Sequence, residues 1–249
     1  AEKDGTFTNT ERRVQRVRHE LRLRELEVQR VARLGASFVG VTLAGDALAD
    51  FASAGFDDHV KLILDNVGGE PIRRDYTPRR FDRRQGTLDI EFAVHTAGEV
   101  SAWAERAQPG LRVTVGGPRG SMVVPSDYDW HLLVGDATAV PAIRRRLEEL
   151  PADAKVVVIG QLAQAADRRL LEEAAGARVS PQWHWASSDD ELVAQVRALS
   201  LPPGEGFAWA AGEAKAMASV RDSLLVDKGH PREASRVSAY WRRGSQGFH

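Results

Sequence analysis

The chain is 249 residues long, enough for one large domain or two small ones, and its 43% hydrophobic and 28% charged residues are ordinary for a globular protein. A formal net charge of -1 leaves no bulk field to draw it to nucleic acid or anionic lipid. The complete absence of cysteine excludes disulfides, thiolate nucleophiles, cysteine-bound zinc and cysteine-held iron–sulfur clusters.

The start, AEKDGTFTNTERR, lacks the apolar stretch and cleavage site of a secretory signal, and no apolar run approaches bilayer length. A cytoplasmic location is expected. From Thr10 to Arg24 the residues are rich in charge, Val14, Val17 and Leu21 fall at helical spacing, and Thr10 offers a cap. They predict a short amphipathic helix with a solvated basic face, so residues 1–24 read as a helical extension.

The period then changes. Leu26–Arg30, Phe38–Leu43, His59–Leu64, Ile72–Arg80, Leu88–His95 and Arg112–Gly116 are β-rich runs. Turn signals divide them at Gly68-Gly69-Glu70-Pro71, Arg84-Gln85-Gly86 and Gln108-Pro109-Gly110. Short strands at this spacing predict a small antiparallel barrel over 25–125, interrupted by a helix at about Val100–Arg106.

Beyond a boundary near Ser126 the pattern alternates. The apolar run His131–Val134 leads through Gly135-Asp136-Ala137-Thr138 into a helix over Val140–Glu149. Lys155–Gly160, Gln182–Ala186 and Gly206–Ala211 are further strands, the last running into a helix over Glu213–Leu225. Residues 126–249 therefore predict a doubly wound parallel α/β half. No long apolar seam suggests an obligate interface, so a monomer is expected.

The seven histidines include no i, i+4 pair, and with no cysteine any electrons must travel on an organic cofactor. Neither G-x-G-x-x-G nor G-x-x-x-x-G-K-[ST] occurs. Two other phosphate-holding devices do. Strand alternation places Arg74 and Tyr76 on one face, a guanidinium for phosphate oxygens beside a ring for a flat aromatic system. Downstream, His95-Thr96-Ala97-Gly98-Glu99-Val100-Ser101 carries a strand through a glycine turn into a helix, where Ser101 offers a hydroxyl beside open backbone amides. His59 reads as scaffold. Trp183 and Trp185, flanking His184 at strand spacing, read as packing.

Arg74-Asp75-Tyr76-Thr77 resembles the R-x-Y-T flavin motif of the ferredoxin–NADP reductase superfamily. More narrowly, GFDDHVKL (Gly55–Leu62), RRDYTPRRFD (Arg73–Asp82), LDIEFAVH (Leu88–His95) and GxxSxWA (Gly98–Ala104) resemble the siderophore-interacting proteins. So do GGPRGS (Gly116–Ser121), GDATAVPAI (Gly135–Ile143), WAAGEA (Trp209–Ala214) and YWRRG (Tyr240–Gly244), in family order over about 24–245.

The resemblance implies an FAD-binding β-barrel followed by a nicotinamide-domain-like α/β half, and an FAD-dependent ferric-siderophore reductase. Carried over, Arg74 binds the FAD phosphates, Tyr76 lies against the flavin and Thr77 hydrogen-bonds near its N5. His95 and the turn of Ala97, Gly98, Val100 and Ser101 cradle the ribityl and pyrophosphate. Asp136 and Thr138 face the same cleft, and Trp241 or Tyr240 approaches the flavin or the substrate mouth. A positive mouth for an anionic ferric chelate is assigned to Lys61, Arg79, Arg80, Arg242 and Arg243. No side chain is assigned acid–base chemistry. Glu99-Val100 stand where the family commonly has Pro-Ala, so Glu99 must point away from the phosphates. Ala239 replaces the glycine usual before Tyr-Trp. NADH, NADPH or ferredoxin is the expected donor. The rival functions are a general flavin reductase or electron-transfer component, and a non-catalytic siderophore- or FAD-binding protein.

Overall fold

Alternation of apolar and polar side chains gives the first half its shape, because each strand then has one face to bury. The computed structural model describes residues 13–94 and 98–245. Its first half contains β1 (Gln15–Arg18), β2 (Leu23–Leu34), β3 (Phe38–Ala44), β4 (Val60–Leu64) and β5 (Ile72–Tyr76). These are followed by β6 (Arg80–Asp82), β7 (Thr87–Ala93), the helix α1 (Glu99–Glu105), β8 (Arg112–Gly116) and β9 (Gly120–Val123). Seven of the strands form an antiparallel sheet in the order β5-β4-β8-β2-β3-β7-β6. Along β7 the inward residues Leu88, Ile90 and Phe92 are fully buried and join Leu26, Val28 and Leu43 in one core. The sheet rolls on itself, so Tyr76 at one edge packs on Phe92 near the other with ring centroids 4.6 Å apart.

Residues 15–18 differ from the sequence expectation. They form no helix but a strand, β1, paired antiparallel with β9, which the sequence reading also passed over. The physical reason is that only Val14 of the spaced apolar residues packs on a core, while Val17 and Leu21 remain 39% and 50% exposed, too little burial to hold a helix. A short helix without tertiary burial is marginal in water, whereas pairing with β9 supplies backbone hydrogen bonds at once.

The second half runs β10 (Trp130–Gly135), α2 (Val140–Glu149), β11 (Val156–Gln161), α3 (Ala165–Ala175) and β12 (Gln182–Ala186). It ends with α4 (Asp189–Ala198), β13 (Gly206–Glu213), α5 (Ala214–Asp222) and β14 (Ser235–Trp241). The five strands are all parallel in the order β12-β11-β10-β13-β14, with α2 and α3 on one face and α4 and α5 on the other. β10 and β13 are buried along their whole length, as central strands of a doubly wound sheet must be. Trp183 and Trp185 stack on each other at 5.3 Å and pack on the α2–α3 core. No described helix is long and apolar enough to cross a membrane.

The two halves meet through ionic and aromatic contacts that fix one against the other. Arg79, just before β6, is 3% exposed and forks onto Glu148 of α2 at 2.9 and 2.5 Å, with Glu91 of β7 at 3.2 Å. Arg144 of α2 pairs with the other oxygen of Glu91. Burial alone would push the Glu148 carboxyl up, but Arg79 and Arg80 outweigh it and hold it below its ordinary range. On the other side of the junction, buried Asp57 accepts from the Trp209 indole N–H at 2.9 Å and from Arg236 at 2.8 Å. A barrel loop is thereby tied to both β13 and β14.

Candidate functional site: a cleft between barrel and parallel sheet

The barrel contributes one end of β5. Ile72, Arg74 and Tyr76 share a face because side chains alternate along a strand. Burial raises the Tyr76 hydroxyl pKa against a smaller lowering from Arg74, so the ring stays neutral. Thr77, just after the strand, is buried. Arg74 donates to the carbonyl of Arg73 at 2.8 Å. Across the β4–β5 ladder Tyr76 is registered with Val60 and Arg74 with Leu62, which sets Lys61 beside Asp75 in a 2.8 Å ion pair.

Gly98 starts α1 with φ 137°, a conformation L side chains rarely adopt, and a Cβ there would meet nothing within 4 Å. The backbone of this turn therefore borders open space. Ser101, in the first turn, is 6% exposed, and among the described residues its hydroxyl has no hydrogen-bond partner. A buried hydroxyl left unpaired is costly unless something else satisfies it. Val100 is buried in the barrel core, so only its backbone can face a ligand. His95 and Ala97 lie outside the described residues.

The parallel sheet contributes its carboxyl-terminal edge, the crevice where open α/β sheets take ligands. Asp136 follows β10 and accepts at one oxygen from the Thr138 backbone N–H (3.0 Å) and hydroxyl (2.5 Å). Its other oxygen accepts from the Trp241 indole N–H at 2.7 Å. Burial pushes the Asp136 carboxyl up, while these hydrogen bonds pull against that rise. Trp241 is held further by Arg243, whose guanidinium lies 4.9 Å from its ring centroid and pairs with Asp189 at 2.9 Å. The Arg243 backbone N–H reaches Glu213 at 3.4 Å.

Tyr240 joins the two contributions. His59, ahead of β4, meets its ring edge-on at 5.1 Å, and Trp209 lies 6.4 Å away on the sheet side. Burial pushes its hydroxyl pKa well up, with Asp57 adding to the rise, and among the described residues that hydroxyl has no hydrogen-bond partner. Tyr240 at the junction and Ser101 in α1 of the barrel thus each carry a buried hydroxyl with no partner among the described residues.

Of the basic mouth expected from sequence, Lys61, Arg242 and Arg243 are exposed. Arg80 is exposed as well but pairs with Glu148 at 2.8 Å. Arg79 is not part of a mouth. Its side chain is buried in the clasp with Glu148 and Glu91, because two carboxylates within reach stabilise a buried guanidinium that solvent cannot. Sequence reasoning also passed over the structural roles of Asp57, Asp189 and Glu213. Asp57 sits in an apolar loop (Ala54-Gly55-Phe56-Asp57-Asp58), and a carboxylate in such a setting is a signal that a partner is close by.

Residues 128–244 match the siderophore-interacting protein family, and residues 27–72 and 65–122 match its siderophore-interacting FAD-binding domain. The NADPH-dependent ferric-chelate reductase of Escherichia coli (strain K12) is 37% identical over 94% of this chain and 99% of its own length. The chain belongs to the siderophore-interacting protein family. A second member, the ferric vibriobactin reductase ViuB of Vibrio cholerae, is 27% identical over 89% of this chain and 90% of its own. Among solved structures, a siderophore utilization protein from T. fusca superposes with a TM-score of 0.86 at 35% identity, covering 95% of this chain and 98% of that one. At the junction Asp57 ties the barrel to Trp209 and Arg236, Tyr240 packs between His59 and Trp209, and Trp241 donates to Asp136.

Proposed function

We propose that this protein is a cytoplasmic, monomeric reductase of ferric siderophores that works with bound FAD and takes its electrons from NADPH. The observation that carries the reading is on the barrel: the Gly98 turn leads into α1, whose buried Ser101 hydroxyl has no partner among the described residues, on the same half as the Arg74–Thr77 strand end. These residues fit a flavin dinucleotide: a guanidinium and a buried hydroxyl for phosphates, a neutral ring for the isoalloxazine, and a glycine turn whose amides border open space. When bound, FAD supplies the relay between a two-electron donor and a one-electron acceptor.

The chain's own residues bind and orient. Arg74 and Ser101 would hold the phosphates, Tyr76 backed by Phe92 would offer a flat surface to the ring, and the buried Thr77 hydroxyl would be available to it. Asp57, Trp209 and Arg236 tie the barrel to β13 and β14, which would keep the cofactor's barrel and the parallel sheet in fixed register. Trp241, pinned by Asp136, caps that crevice on the donor side. No proton need be moved by a side chain for iron to change its charge. Iron reduced to the ferrous state is held far less well by hard oxygen ligands, so reduction alone releases it. Lys61, Arg242 and Arg243 attract the anionic chelate, each tempered by neighbouring acidic groups. NADPH is favoured as donor over ferredoxin by the E. coli relative, whose name specifies it.

The test is a ferrous-trap assay on purified chain loaded with FAD, mixed with a ferric siderophore and NADPH, NADH or reduced ferredoxin. Ferrous iron should appear with NADPH. A protein that binds the chelate yet yields no ferrous iron with any donor in excess is a binding protein, and the enzyme reading fails.

A further inference from the structure

Lys61 and Arg243, two of the cations assigned to the chelate mouth, come already paired with acids. Lys61 meets Asp75 at 2.8 Å across the β4–β5 ladder, and Arg243 places Nε and a terminal nitrogen on one oxygen of Asp189 at 3.1 and 2.9 Å. In each pair the acid is far less exposed than the base. We propose that Asp75 and Asp189 are specificity-determining residues that set the charge of the accepted ferric chelate, favouring a neutral one over a strongly anionic one, a selectivity that rests on the ferric-siderophore reading above.

Both acids are fixed by the scaffold. The second oxygen of Asp189 accepts from the Gln161 amide at 2.8 Å, at the end of β11, so the carboxylate is anchored and the guanidinium comes to it. Asp75 is set opposite Lys61 by strand register. Exposed ion pairs contribute little to stability, so folding gives weak reason to back both cations with acids. The two pairs also share one electrostatic neighbourhood. Burial raises the Tyr240 hydroxyl pKa, and Asp57, Asp136 and Asp75 add to the rise against a lowering by Arg236, so this ring feels the barrel pair and the sheet edge together. Asp189 in turn holds the Arg243 guanidinium above its ordinary pKa, with Glu213 and Asp136 contributing.

The charges balance. Against Lys61, Arg242 and Arg243 stand Asp75, Asp189 and the buried Glu213, whose carboxylate lies 3.4 Å from the Arg243 backbone N–H. Paired charges act as dipoles, and their pull fades faster with distance than that of bare cations. A tris-hydroxamate, built from monoanions, cancels the charge of ferric iron. A tris-catecholate, built from dianions, stays strongly negative. The neutral complex gives up nothing to the two aspartates. The anionic one meets their repulsion about as closely as it meets the attraction of Lys61 and Arg243, and like charges set side by side select against a partner.

The experiment loads the full chain with FAD and titrates it, by calorimetry, with gallium(III) complexes of a tris-hydroxamate and of a tris-catecholate, which keep the ferric charge and are not reduced. Asp75→Asn and Asp189→Asn should each tighten the tris-catecholate about threefold at physiological salt, and the double variant about tenfold with a steeper salt dependence. The tris-hydroxamate affinity should stay unchanged in all three. Asp75→Glu keeps the charge and should behave as wild type, which separates charge from shape. Unchanged tris-catecholate affinity in the double variant, or equal gains for both complexes, overturns the charge selectivity and leaves the siderophore reading standing. Wild type that binds neither complex overturns both. Should the double variant fail to hold FAD, the single variants decide by the same criteria.

Discussion

Replacing Arg79 with alanine tests whether the clasp between barrel and sheet is structural. Arg79 is almost wholly buried and faces two carboxylates, Glu148 through both terminal nitrogens and Glu91 through Nε. Deleting one partner of a buried ion pair typically costs 3–5 kcal/mol, because the charge left behind stays desolvated. Here Glu91 keeps Arg144 and Glu148 keeps Arg80 and some contact with water, which places the cost at the low end, about 3 kcal/mol. For a chain of this size that corresponds to a fall of roughly 6–12 °C in the thermal midpoint. Arg79→Lys should recover little of it, since an ammonium cannot form the fork. A circular-dichroism melt, with the affinity for ferric chelate measured on the same samples, separates the alternatives. An unchanged midpoint together with weakened, salt-dependent chelate binding would refute the clasp and return Arg79 to the substrate mouth.

Three further outcomes are expected. His131 is 1% exposed, and burial, helped by Arg146, lowers its pKa from 6.5 to about 4. The unfolded chain therefore binds more protons between those values, and stability should fall by about 3 kcal/mol as pH drops from 6.5 to 4; urea titrations of His131→Gln should show a flatter profile. Ser101→Ala should leave the flavin-free protein as stable or up to about 1 kcal/mol more stable, by removing an unsatisfied hydroxyl, yet weaken FAD about fivefold by calorimetry. Lys61→Ala with Arg243→Ala should weaken binding of an anionic ferric chelate and flatten its salt dependence by only about threefold each, because Asp75 and Asp189 already offset both charges. Unchanged affinity at low salt would remove the mouth from the mechanism.

Much of this architecture was legible because two periodicities divide near Ser126. The β-rich run Leu88–His95 and the apolar runs His131–Val134 and Gly206–Ala211 each carry their own burial pattern, and strands form there over Thr87–Ala93, Trp130–Gly135 and Gly206–Glu213. The boundaries of α2 match the reading to the residue. What stayed hidden depends on partners distant in the chain. β1 exists because β9 offers it a free edge. α3 and α4 were not singled out, although each buries an apolar face, Leu170, Leu171, Ala174 and Ala175 in α3 and Leu192, Val193 and Val196 in α4. For the site, an Arg-Arg pair after a flavin motif reads as surface charge. Only the fold shows Arg79 turned inward to Glu148 while Arg80 faces water, since both carboxylates come from other elements. Asp189 and Glu213 escaped notice for the same reason: each is tied to Arg243, far off in sequence and adjacent only once the last strand is laid down.

Asp57 bears on how a nascent chain is put together. Its tryptophan partner is 152 positions downstream, and its arginine partner lies on the final strand. N-terminal portions generally fold first as they leave the ribosome, so the half-made molecule carries this carboxylate in water, on the surface awaiting its other half. It finds its partners only once Trp209 and Arg236 are in place, so the tie between the halves is completed by the last strand of the chain.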